Sequence, residues 1–247
     1  MKIAIVTGGN RGLGRDAALA LARRGVDSII TYRTNAAEAD AVVAEIAALG
    51  RTAVALRLDV TERAGFVDEV RRTLKETWDR DTFDHLVNNG GIAHHLSFAD
   101  TTEEAFDELM NIQFKGVFFL TQDLLPVIAD GGRVLNVSTG LARFTTPGYV
   151  AYASMKGAVE VLTRYLAKEL GPRGITVNTI APGPIATDFG GGVVRDNADL
   201  NAALSSQSAL GRVGLADDIG GVVAWLLSDD SRWITGQRLE VSGGINL

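Results

Sequence analysis

Short apolar runs rich in β-branched residues alternate along the whole chain with longer segments whose apolar residues recur about every 3.6 positions. The runs at 28–32 and 53–58 are nearly continuously apolar, which is typical of parallel strands covered on both faces. We therefore predict one α/β domain, a doubly wound parallel sheet of about seven strands with helices on both faces. The predicted strands are 2–7, 28–32, 53–58, 85–89, 133–138, 175–180 and 238–242, and the predicted helical segments are 13–24, 36–49, 61–78, 103–128 (two helices), 149–170 and 217–227.

One segment, at about 189–214, interrupts this alternation. It is glycine-rich and polar, and it follows the sixth predicted strand. A long insertion at the carboxyl edge of a parallel sheet is typical of a binding loop, so we predict a substrate lid, with an ordinary surface loop as the alternative. Because no linker, charge block or repeat divides the chain, residues 1–247 are predicted to form a single catalytic domain.

The composition excludes several classes of protein. The 247 residues include no cysteine, so disulfides, thiolate catalysis and sulfur-ligated zinc cannot occur. A formal net charge of −6 gives no electrostatic reason to bind nucleic acid or an acidic membrane surface. No apolar run is long enough to span a bilayer, and the N-terminus runs directly into the first strand without a signal sequence. We expect a soluble, cytoplasmic protein that acts on small molecules.

The turn after the first strand carries four closely spaced glycines within Thr7–Gly14, which reads TGGNRGLG. Glycine permits positive φ and close approach of the backbone, so amides at the start of the next helix can point at a pyrophosphate. The spacing G-x-x-x-G-x-G differs from the usual G-x-G-x-x-G dinucleotide pattern. A tight turn without a ligand is therefore the alternative interpretation of this segment taken alone.

A second group of candidates lies between 136 and 159, which reads NVSTGLARFTTPGYVAYASMKGAV. Tyr152 and Lys156 are four residues apart, so in a helix the phenol and the ammonium share one face. Two adjacent hydroxyls, Ser138 and Thr139, precede them. This spacing is compatible with acid/base chemistry, and equally with a half-buried tyrosine beside a surface lysine.

Five motifs, taken together, resemble the short-chain dehydrogenase/reductase family in their order and spacing. They are TGGNRGLG at 7–14, LDV at 58–60, NNGG at 88–91, Tyr152-x-x-x-Lys156 and PGPIATD at 182–188. The resemblance extends over nearly the whole chain, to ITGQRLEVSGG near its end. It implies a Rossmann-type fold and an oxidoreductase that transfers hydride between a nicotinamide and a ketone or secondary alcohol.

The resemblance assigns Tyr152 as the proton donor in reduction and the base in oxidation. An unperturbed phenol titrates near pH 10, so a lower pKa is expected, with Lys156 supplying a nearby positive charge. Lys156 is also expected to bind the hydroxyls of the nicotinamide ribose. A nucleotide-binding protein that kept the fold but had lost catalysis would not need Tyr152 and Lys156.

Two further catalytic positions depart from the pattern of the family. The carbonyl-binding hydroxyl is usually a serine thirteen residues before the tyrosine, and here this count selects Thr139, with Ser138 as the alternative. Ser138 is expected to point to the opposite face of a regular strand. Gln113 stands where the family commonly has an asparagine in a proton relay, and it carries the same amide one methylene further out. Asn111 is turned too far around the helix to replace it.

The cofactor is predicted to be NADP(H), with NAD(H) as the possible alternative. The second strand ends at Arg33 with no carboxylate until Glu38, and Arg11 adds a second guanidinium from the glycine turn. Two guanidiniums can hold a 2′-phosphate through charge-assisted bonds, whereas an acidic residue would favour the free 2′-hydroxyl of NAD. The other cofactor-binding residues implied by the resemblance are Gly8, Asn10, Gly12, Leu13, Gly14, Asp59, Val60, Asn88, Gly90, Pro182, Gly183, Ile185 and Thr187, together with Tyr152 and Lys156.

No metal site is expected, because the adjacent His94 and His95 lack carboxylates at ligand spacing. Three functions follow from the resemblance: reduction of a small free ketone, reduction of a 3-oxoacyl group on an acyl-carrier protein, or a non-catalytic nucleotide-binding sensor or scaffold. Docking of an acidic carrier protein requires basic residues at the entrance, of which Arg143 and Arg173 remain. Relatives are commonly homotetramers, so this assembly is also expected.

Overall fold

The computed structural model describes residues 1–247, and its centre is a single sheet of seven parallel strands. Their spatial order is β3-β2-β1-β4-β5-β6-β7, with every neighbouring pair parallel. The predicted doubly wound α/β fold is confirmed. The strands are β1 Lys2–Val6, β2 Val26–Tyr32, β3 Ala53–Arg57, β4 Phe83–Asn88, β5 Ile128–Val137, β6 Thr176–Pro182 and β7 Arg238–Val241.

Helices cover both faces of the sheet because alternate residues of the strands are apolar on each side. In β1, Ala4 and Val6 join the core under α1, α2 and α9, whereas Ile3 and Ile5 join the core under α3, α5 and α6. No helix combines the length and the hydropathy needed to cross a bilayer. The helices are α1 Gly12–Arg23, α2 Ala36–Ala48, α3 Phe66–Trp78, α4 Glu103–Met110, α5 Gly116–Leu124, α6 Val150–Leu170, α7 Val193–Asp196, α8 Ala198–Gln207 and α9 Asp217–Leu226.

The order of the strands reverses at β1, which lies between β2 and β4. A crevice forms at such a point, beyond the carboxyl ends of the strands. The Thr7 hydroxyl joins the two turns that border this crevice, since it accepts hydrogen bonds from the amides of Asn89 and Gly90, both at 2.9 Å. The functional candidates at the ends of β1 and β4 are thereby fixed relative to each other.

The third helix begins at Phe66, five residues later than the predicted start at Thr61. The Asp59 carboxylate accepts hydrogen bonds from the Thr61 amide at 2.9 Å and from its hydroxyl at 2.7 Å. The Glu62 amide also donates to the Asp59 carbonyl at 2.9 Å, so residues 59–62 form a separate tight turn ahead of the helix. Gly65, with φ 77°, then redirects the chain into the helix.

A π-helical turn, Asn111–Lys115, joins α4 to α5. The predicted segment 103–128 is therefore one nearly continuous rod that ends at Leu124, with a widened turn in the middle. Such turns contain one extra residue and occur often at functional sites. Gln113 lies in this turn and is fully buried.

The predicted lid segment is largely helical. It begins with a 3-10 turn at Phe189–Gly192, continues through α7 and α8, and returns to the domain near Gly214. Its three successive glycines, Gly190 to Gly192, have φ between 62° and 77°, which reverses the chain where it leaves the sheet.

Candidate active site

A cavity of about 460 Å³ lies in the crevice beyond the carboxyl ends of the strands. It extends from the turn after β2 to the start of α6 and is roofed by the segment 189–207. Sixteen of the predicted site residues line it. They are Gly8, Asn10, Arg11, Gly12, Leu13, Arg33, Asp59, Val60, Gly90, Thr139, Tyr152, Lys156, Pro182, Gly183, Ile185 and Thr187.

Gly14 and Asn88 were also predicted to contact the cofactor, and the structure places both outside the cavity lining. Gly14 packs so closely against the turn that a Cβ atom would overlap the carbonyl oxygen of Gly8. The Asn88 amide points into the sheet, where it donates to Asn136 Oδ1 at 2.8 Å and to Thr121 Oγ1 at 3.0 Å. Both residues therefore support the site from beneath its lining.

Asn89 takes the place at the cavity that was predicted for Asn88. Its side-chain amide donates to the carbonyls of Thr7 at 2.9 Å and Gly8 at 3.2 Å, and so holds the glycine turn. Successive side chains of a strand point to opposite faces, so only one of two adjacent asparagines can reach this turn. The motif NNGG predicts that an asparagine lies at the cavity, but it does not indicate which of the two.

Gln113 does not line the cavity either. It lies directly beneath Gly91, where an added Cβ would come within 2.7 Å of Gln113 Oε1. Its Nε2 donates to the carbonyl of Ile92, and its Oε1 is buried without a hydrogen-bond partner. The amide therefore supports the segment after β4 from within the protein.

The glycine turn fits an anionic group. Helix α1 has no side-chain cap at Arg11 and no acidic residue in its first turn, so its first amides face the cavity without a competing carboxylate. Gly8 and Gly12 have φ 62° and 54°, which directs the backbone of the turn toward the same space. An uncapped helix N-terminus with these properties suits the pyrophosphate of a dinucleotide.

The far end of the cavity is positively charged. Arg11 and Arg33 both line it and are exposed. The nearest carboxylate along the chain, Glu38, does not line the cavity, and its Oε2 accepts a hydrogen bond from Asn10 Nδ2 at 2.7 Å. This end therefore provides cations for a phosphate, and the carboxylate nearest to Arg33 along the chain is engaged by Asn10.

Asp59 lies beside these cations. Burial raises the pKa of its carboxyl, but the hydrogen bonds from Thr61 and the charges of Arg33 and Arg57 outweigh burial and hold the pKa below its ordinary value. The carboxylate is therefore ionised and available as an acceptor at neutral pH.

The opposite end of the cavity brings the predicted catalytic residues together. Tyr152 and Lys156 lie one turn apart on α6, and both are buried. The Lys156 Nζ donates to the carbonyl of Val137 at 2.8 Å and lies 5.8 Å from the centre of the Tyr152 ring. The Thr139 hydroxyl lies near the Tyr152 phenol and lowers the pKa of that phenol.

Burial determines the titration of both residues. It raises the pKa of Tyr152 well above its ordinary range, and the neighbouring Thr139 hydroxyl offsets only part of this rise. It also lowers the pKa of Lys156 to about 7. Lys156 is not among the influences on the Tyr152 pKa, so the expected lowering of that pKa by the lysine is not seen in this structure.

Ser138 and Thr139 point in different directions. Ser138 Oγ donates to Glu160 Oε1 at 2.7 Å, which engages it with α6 behind the site. The hydroxyl of Thr139 accepts from the Leu141 amide at 3.3 Å and lies near Tyr152. Both residues line the cavity, but only the Ser138 hydroxyl is engaged by a carboxylate.

The space around Tyr152 is mostly apolar and aromatic. The ring centres of Tyr149 and Phe189 lie 6.5 Å and 6.1 Å from that of Tyr152. His95 packs edge-on against Tyr149 at 5.0 Å, outside the lining itself, while His94 pairs with Glu108 at 2.6 Å. The remaining apolar lining residues here are Ile92, Leu141, Phe144, Val193, Val194, Leu200, Leu204 and Ile245.

A parallel doubly wound sheet with an uncapped glycine turn and a buried Tyr–Lys pair is the arrangement of a dinucleotide-dependent oxidoreductase. The sequence agrees, since residues 8–246 match a family profile described as Enoyl-(Acyl carrier protein) reductase. The chain belongs to the short-chain dehydrogenase/reductase family.

Similar proteins include several ketone reductases. The tetrahydroxynaphthalene reductase PfmaG of Pestalotiopsis fici is 37% identical over 254 residues, which cover 98% of this chain and 91% of that protein. The promiscuous reductase LugOII, which catalyses keto-reduction at C1 during lugdunomycin biosynthesis, has a TM-score of 0.93 and 40% identity over 100% of this chain and 98% of its own. The angucycline C-6 ketoreductase LanV, solved with bound NADP, has a TM-score of 0.93 and 37% identity, covering 98% and 95%.

Proposed function

We propose that the protein is an NADP(H)-dependent oxidoreductase that interconverts a ketone and a secondary alcohol, with Tyr152 as the proton donor and acceptor. One observation carries this proposal. Thr139, Tyr152 and Lys156 meet at the apolar end of a cavity whose other end presents Arg11 and Arg33. A phosphate-bearing cofactor and an apolar carbonyl compound suit the two ends respectively.

The residues that would hold NADP(H) follow the length of the cavity. Arg11 and Arg33 would bind the 2′-phosphate, Asp59 the adenine amino group, and the amides of the glycine turn the pyrophosphate. Lys156 would bind the nicotinamide ribose. When bound, the cofactor supplies or accepts the hydride and, in its oxidised form, a positive charge.

Tyr152 would hold the proton that the product oxygen receives. Since burial raises its pKa, the phenol stays protonated at neutral pH, which suits reduction of the ketone. Thr139 would donate a hydrogen bond to the carbonyl oxygen and stabilise the negative charge that develops there. Lys156, at 5.8 Å from the phenol ring, would favour the tyrosinate once the proton has left.

Gln113 is proposed to act through its support of the main chain. Its Nε2 bonds to Ile92, a cavity residue, and its buried Oε1 leaves an acceptor for a small hydrogen-bond donor. The predicted relay of protons through Gln113 therefore requires a bridging group between its Oε1 and Lys156.

The proposed substrate is a free, largely apolar ketone that contains rings. The aromatic and aliphatic lining around Tyr152 favours such a compound. A carrier-protein substrate is less favoured, because neither basic candidate is available: Arg143 pairs with Glu240 at 2.6 Å, and Arg173 with Asp130 at 2.7 Å. Reduction of hydroxynaphthalenes and of angucyclines by similar proteins supports the same substrate class.

The test is a panel of cyclic, fused-ring and acyl-thioester ketones assayed with NADPH and with NADH. Tyr152→Phe is expected to abolish turnover, by a factor of about 10³ or more, while the Kd for NADPH changes little. Tyr165→Phe serves as the matched control, because Tyr165 lies on the same helix and is 66% exposed. Full activity in the Tyr152 variant would refute the proposed mechanism.

The same panel separates a sensor from an enzyme. A protein that binds NADPH but reduces no ketone in the panel would be a nucleotide-binding scaffold instead. Preference for acyl-thioesters of a carrier protein over free ketones would favour the 3-oxoacyl reductase.

A homotetramer is proposed for the assembly. Phe118 on α5 and Val161 and Tyr165 on α6 are exposed, whereas Val117 and Leu120 belong to the core of the single chain. The exposed residues provide apolar surface that a subunit contact along α5 and α6 would cover. Light scattering coupled to size exclusion measures the mass, and a monomer would contradict this expectation.

A further inference from the structure

The guanidinium of Arg143 forms a two-pronged ion pair at the rim of the cavity. Its Nε donates to Glu240 Oε2 at 2.6 Å and its Nη2 to Glu240 Oε1 at 2.7 Å. The same guanidinium also donates to the carbonyls of Ile245, at 3.1 Å, and Asn246, at 3.3 Å. One side chain therefore binds a carboxylate in a planar fork and two main-chain carbonyls in addition.

The segment held in this way, 243–247, forms part of the wall of the cavity. Ile245 is 1% exposed, and both Ile245 and Asn246 line the cavity. Gly243 and Gly244 have φ 63° and 73°, so the chain folds back sharply after β7.

This segment also touches the far end of the lid. The amide of Ala209 donates to the Gly244 carbonyl at 3.2 Å, and that of Leu210 to the Gly243 carbonyl at 3.1 Å. A β-bridge joins Ser208 to Ile245. Arg143 thus fixes, through two residues of the wall, the position at which the lid returns to the domain.

The ion pairs continue from Glu240 to the reaction centre. Arg238 Nη1 donates to Glu240 Oε2 at 3.0 Å, and its Nη2 donates to the carbonyl of Thr139 at 3.2 Å. Its Nε donates to Glu160 Oε1 at 2.7 Å, the oxygen that also accepts from Ser138. A continuous chain of charged groups therefore links the backbone of Thr139 to the wall of the cavity.

The pairing is stable over a wide range of pH. The hydrogen bond from Arg143, which is the largest influence, and those from Arg238 and Ser242 lower the pKa of Glu240 to about 2, although burial opposes them. The carboxylate therefore stays ionised wherever the fold itself is stable.

We propose that Arg143 and Glu240 are positioning residues that hold 243–247 as a wall of the substrate cavity and so determine how well a bulky ketone fits. This inference rests on the proposed ketone reductase function. Neither residue is assigned contact with the reacting atoms; both act through Ile245 and Asn246. Loss of the fork is expected to loosen the wall while Tyr152, Lys156 and the glycine turn remain in place.

The first measurement compares Arg143→Met with Arg173→Met. Arg173 is a matched control, because it also pairs with a carboxylate and donates to two carbonyls, those of Leu125 at 2.9 Å and Ile128 at 2.6 Å, away from the cavity. In Arg143→Met, KM for 1-tetralone is expected to rise about fivefold, with kcat and KM for NADPH unchanged and KM for cyclohexanone changed less than twofold. Arg173→Met is expected to change none of these values.

The conservative variant sharpens this comparison. Lysine at 143 keeps the charge but cannot form the fork. KM for 1-tetralone in Arg143→Lys is therefore expected to lie between that of the parent and that of Arg143→Met. Equal effects of Arg143→Met on both ketones, or a loss confined to kcat, would overturn the role in fit.

The second measurement does not depend on turnover. Hydrogen exchange is followed at the amides of Ala209, Leu210 and Asn246, which bond within the wall and to the lid. Exchange there is expected to be about tenfold faster in Arg143→Met and unchanged in Arg173→Met. Unchanged exchange in Arg143→Met would overturn the positioning role. If the parent protein reduces no ketone, the proposed function fails, and the exchange result alone still supports or overturns the positioning role.

Discussion

The two ends of the cavity use glycine for different reasons. At the cofactor end, a Cβ on Gly9 would come within 2.8 Å of Ile30, and one on Gly14 would overlap the Gly8 carbonyl. At the lid, Gly190 and Gly191 have nothing within 4 Å of such an atom, yet their φ values are 62° and 77°. At the cofactor end glycine provides room for close packing in addition to the positive φ of Gly8 and Gly12, whereas at these two lid positions it provides backbone direction alone.

The same contrast holds for the contacts that maintain each end. The cofactor end is joined by backbone and short side chains, such as the Thr7 hydroxyl between two turns. The lid end is joined by exposed ion pairs, among them Arg212 with Asp218 and Arg195 with Asp188. Exposed ion pairs stabilise weakly, so the substrate end is expected to tolerate changes that the cofactor end does not.

Gly14→Ala is expected to produce the largest effect. The added methyl would overlap the Gly8 carbonyl and approach Asn89 Nδ2 within 2.5 Å, so the turn must shift. We expect the free energy of unfolding to fall by about 3 kcal/mol, with loss of NADPH binding. Urea unfolding and NADPH fluorescence measure the two quantities. If Gly14→Ala bound NADPH with the affinity of the parent, the expectation that the cofactor end tolerates fewer changes than the lid end would be wrong.

Lys156 lies at the apolar end of the cavity, and its burial predicts a dependence of stability on pH. Its pKa is lowered from the ordinary 10.5 to about 7, so between these values the unfolded chain binds more protons than the folded one. Stability due to this group therefore rises with pH. We expect the parent to gain about 2 kcal/mol between pH 7 and pH 9 relative to Lys156→Met.

Urea unfolding at pH 7, 8 and 9 provides the measurement. Lys168→Met is the control, because it removes an exposed lysine from the same helix. If the free energy of unfolding changed equally with pH in the parent and in Lys156→Met, burial would not lower the pKa of the Lys156 amine, and the prediction would be wrong.

Arg33→Ala is expected to have an intermediate effect that is confined to the cofactor end. Removal of one guanidinium from the 2′-phosphate should raise KM for NADPH about tenfold and leave KM for NADH nearly unchanged. Arg71→Ala is the control, since Arg71 is exposed and does not line the cavity. An unchanged KM for NADPH in Arg33→Ala would overturn the proposed preference for NADP(H).

Gly190→Ala is expected to have the smallest effect. The methyl meets no neighbour, so only the cost of a left-handed conformation remains, about 1 kcal/mol in the free energy of unfolding. NADPH affinity should not change. A loss of NADPH binding as large as that of Gly14→Ala would contradict the distinction between glycines needed for close packing and glycines needed for positive φ.

The sequence predicted the fold well because alternation of strands and helices leaves few arrangements. All seven strands overlap the predicted ones, although β5 begins at Ile128, five residues before its predicted start. It also placed Tyr152 and Lys156 on one helical face, since four residues correspond to one turn. Counting back from Tyr152 selected Thr139, and the engagement of Ser138 with Glu160 is consistent with that choice.

What the sequence did not predict depends on contacts between distant segments. Nothing near Asn88 indicates that its amide is used by Asn136 and Thr121, which lie 48 and 33 residues away. The role of Arg143 was likewise hidden, because its partner Glu240 follows 97 residues later. The late start of α3 has a local cause, since the Asp59 carboxylate holds Thr61 in a tight turn ahead of the helix.

The π-helical turn at Asn111–Lys115 sets the rotational phase of the rod formed by α4 and α5. Leu109 before the turn packs with Tyr152 and Met155, whereas Leu120 and Leu124 after it belong to the core beneath the sheet. One extra residue rotates every later side chain by about 100° around the helix axis. The apolar face before the turn, which includes Leu109, and the apolar face after it, which includes Leu120 and Leu124, therefore each meet their own packing partners. A chain one residue shorter at this point would keep its helical hydrogen bonds but would have to expose one of the two stripes.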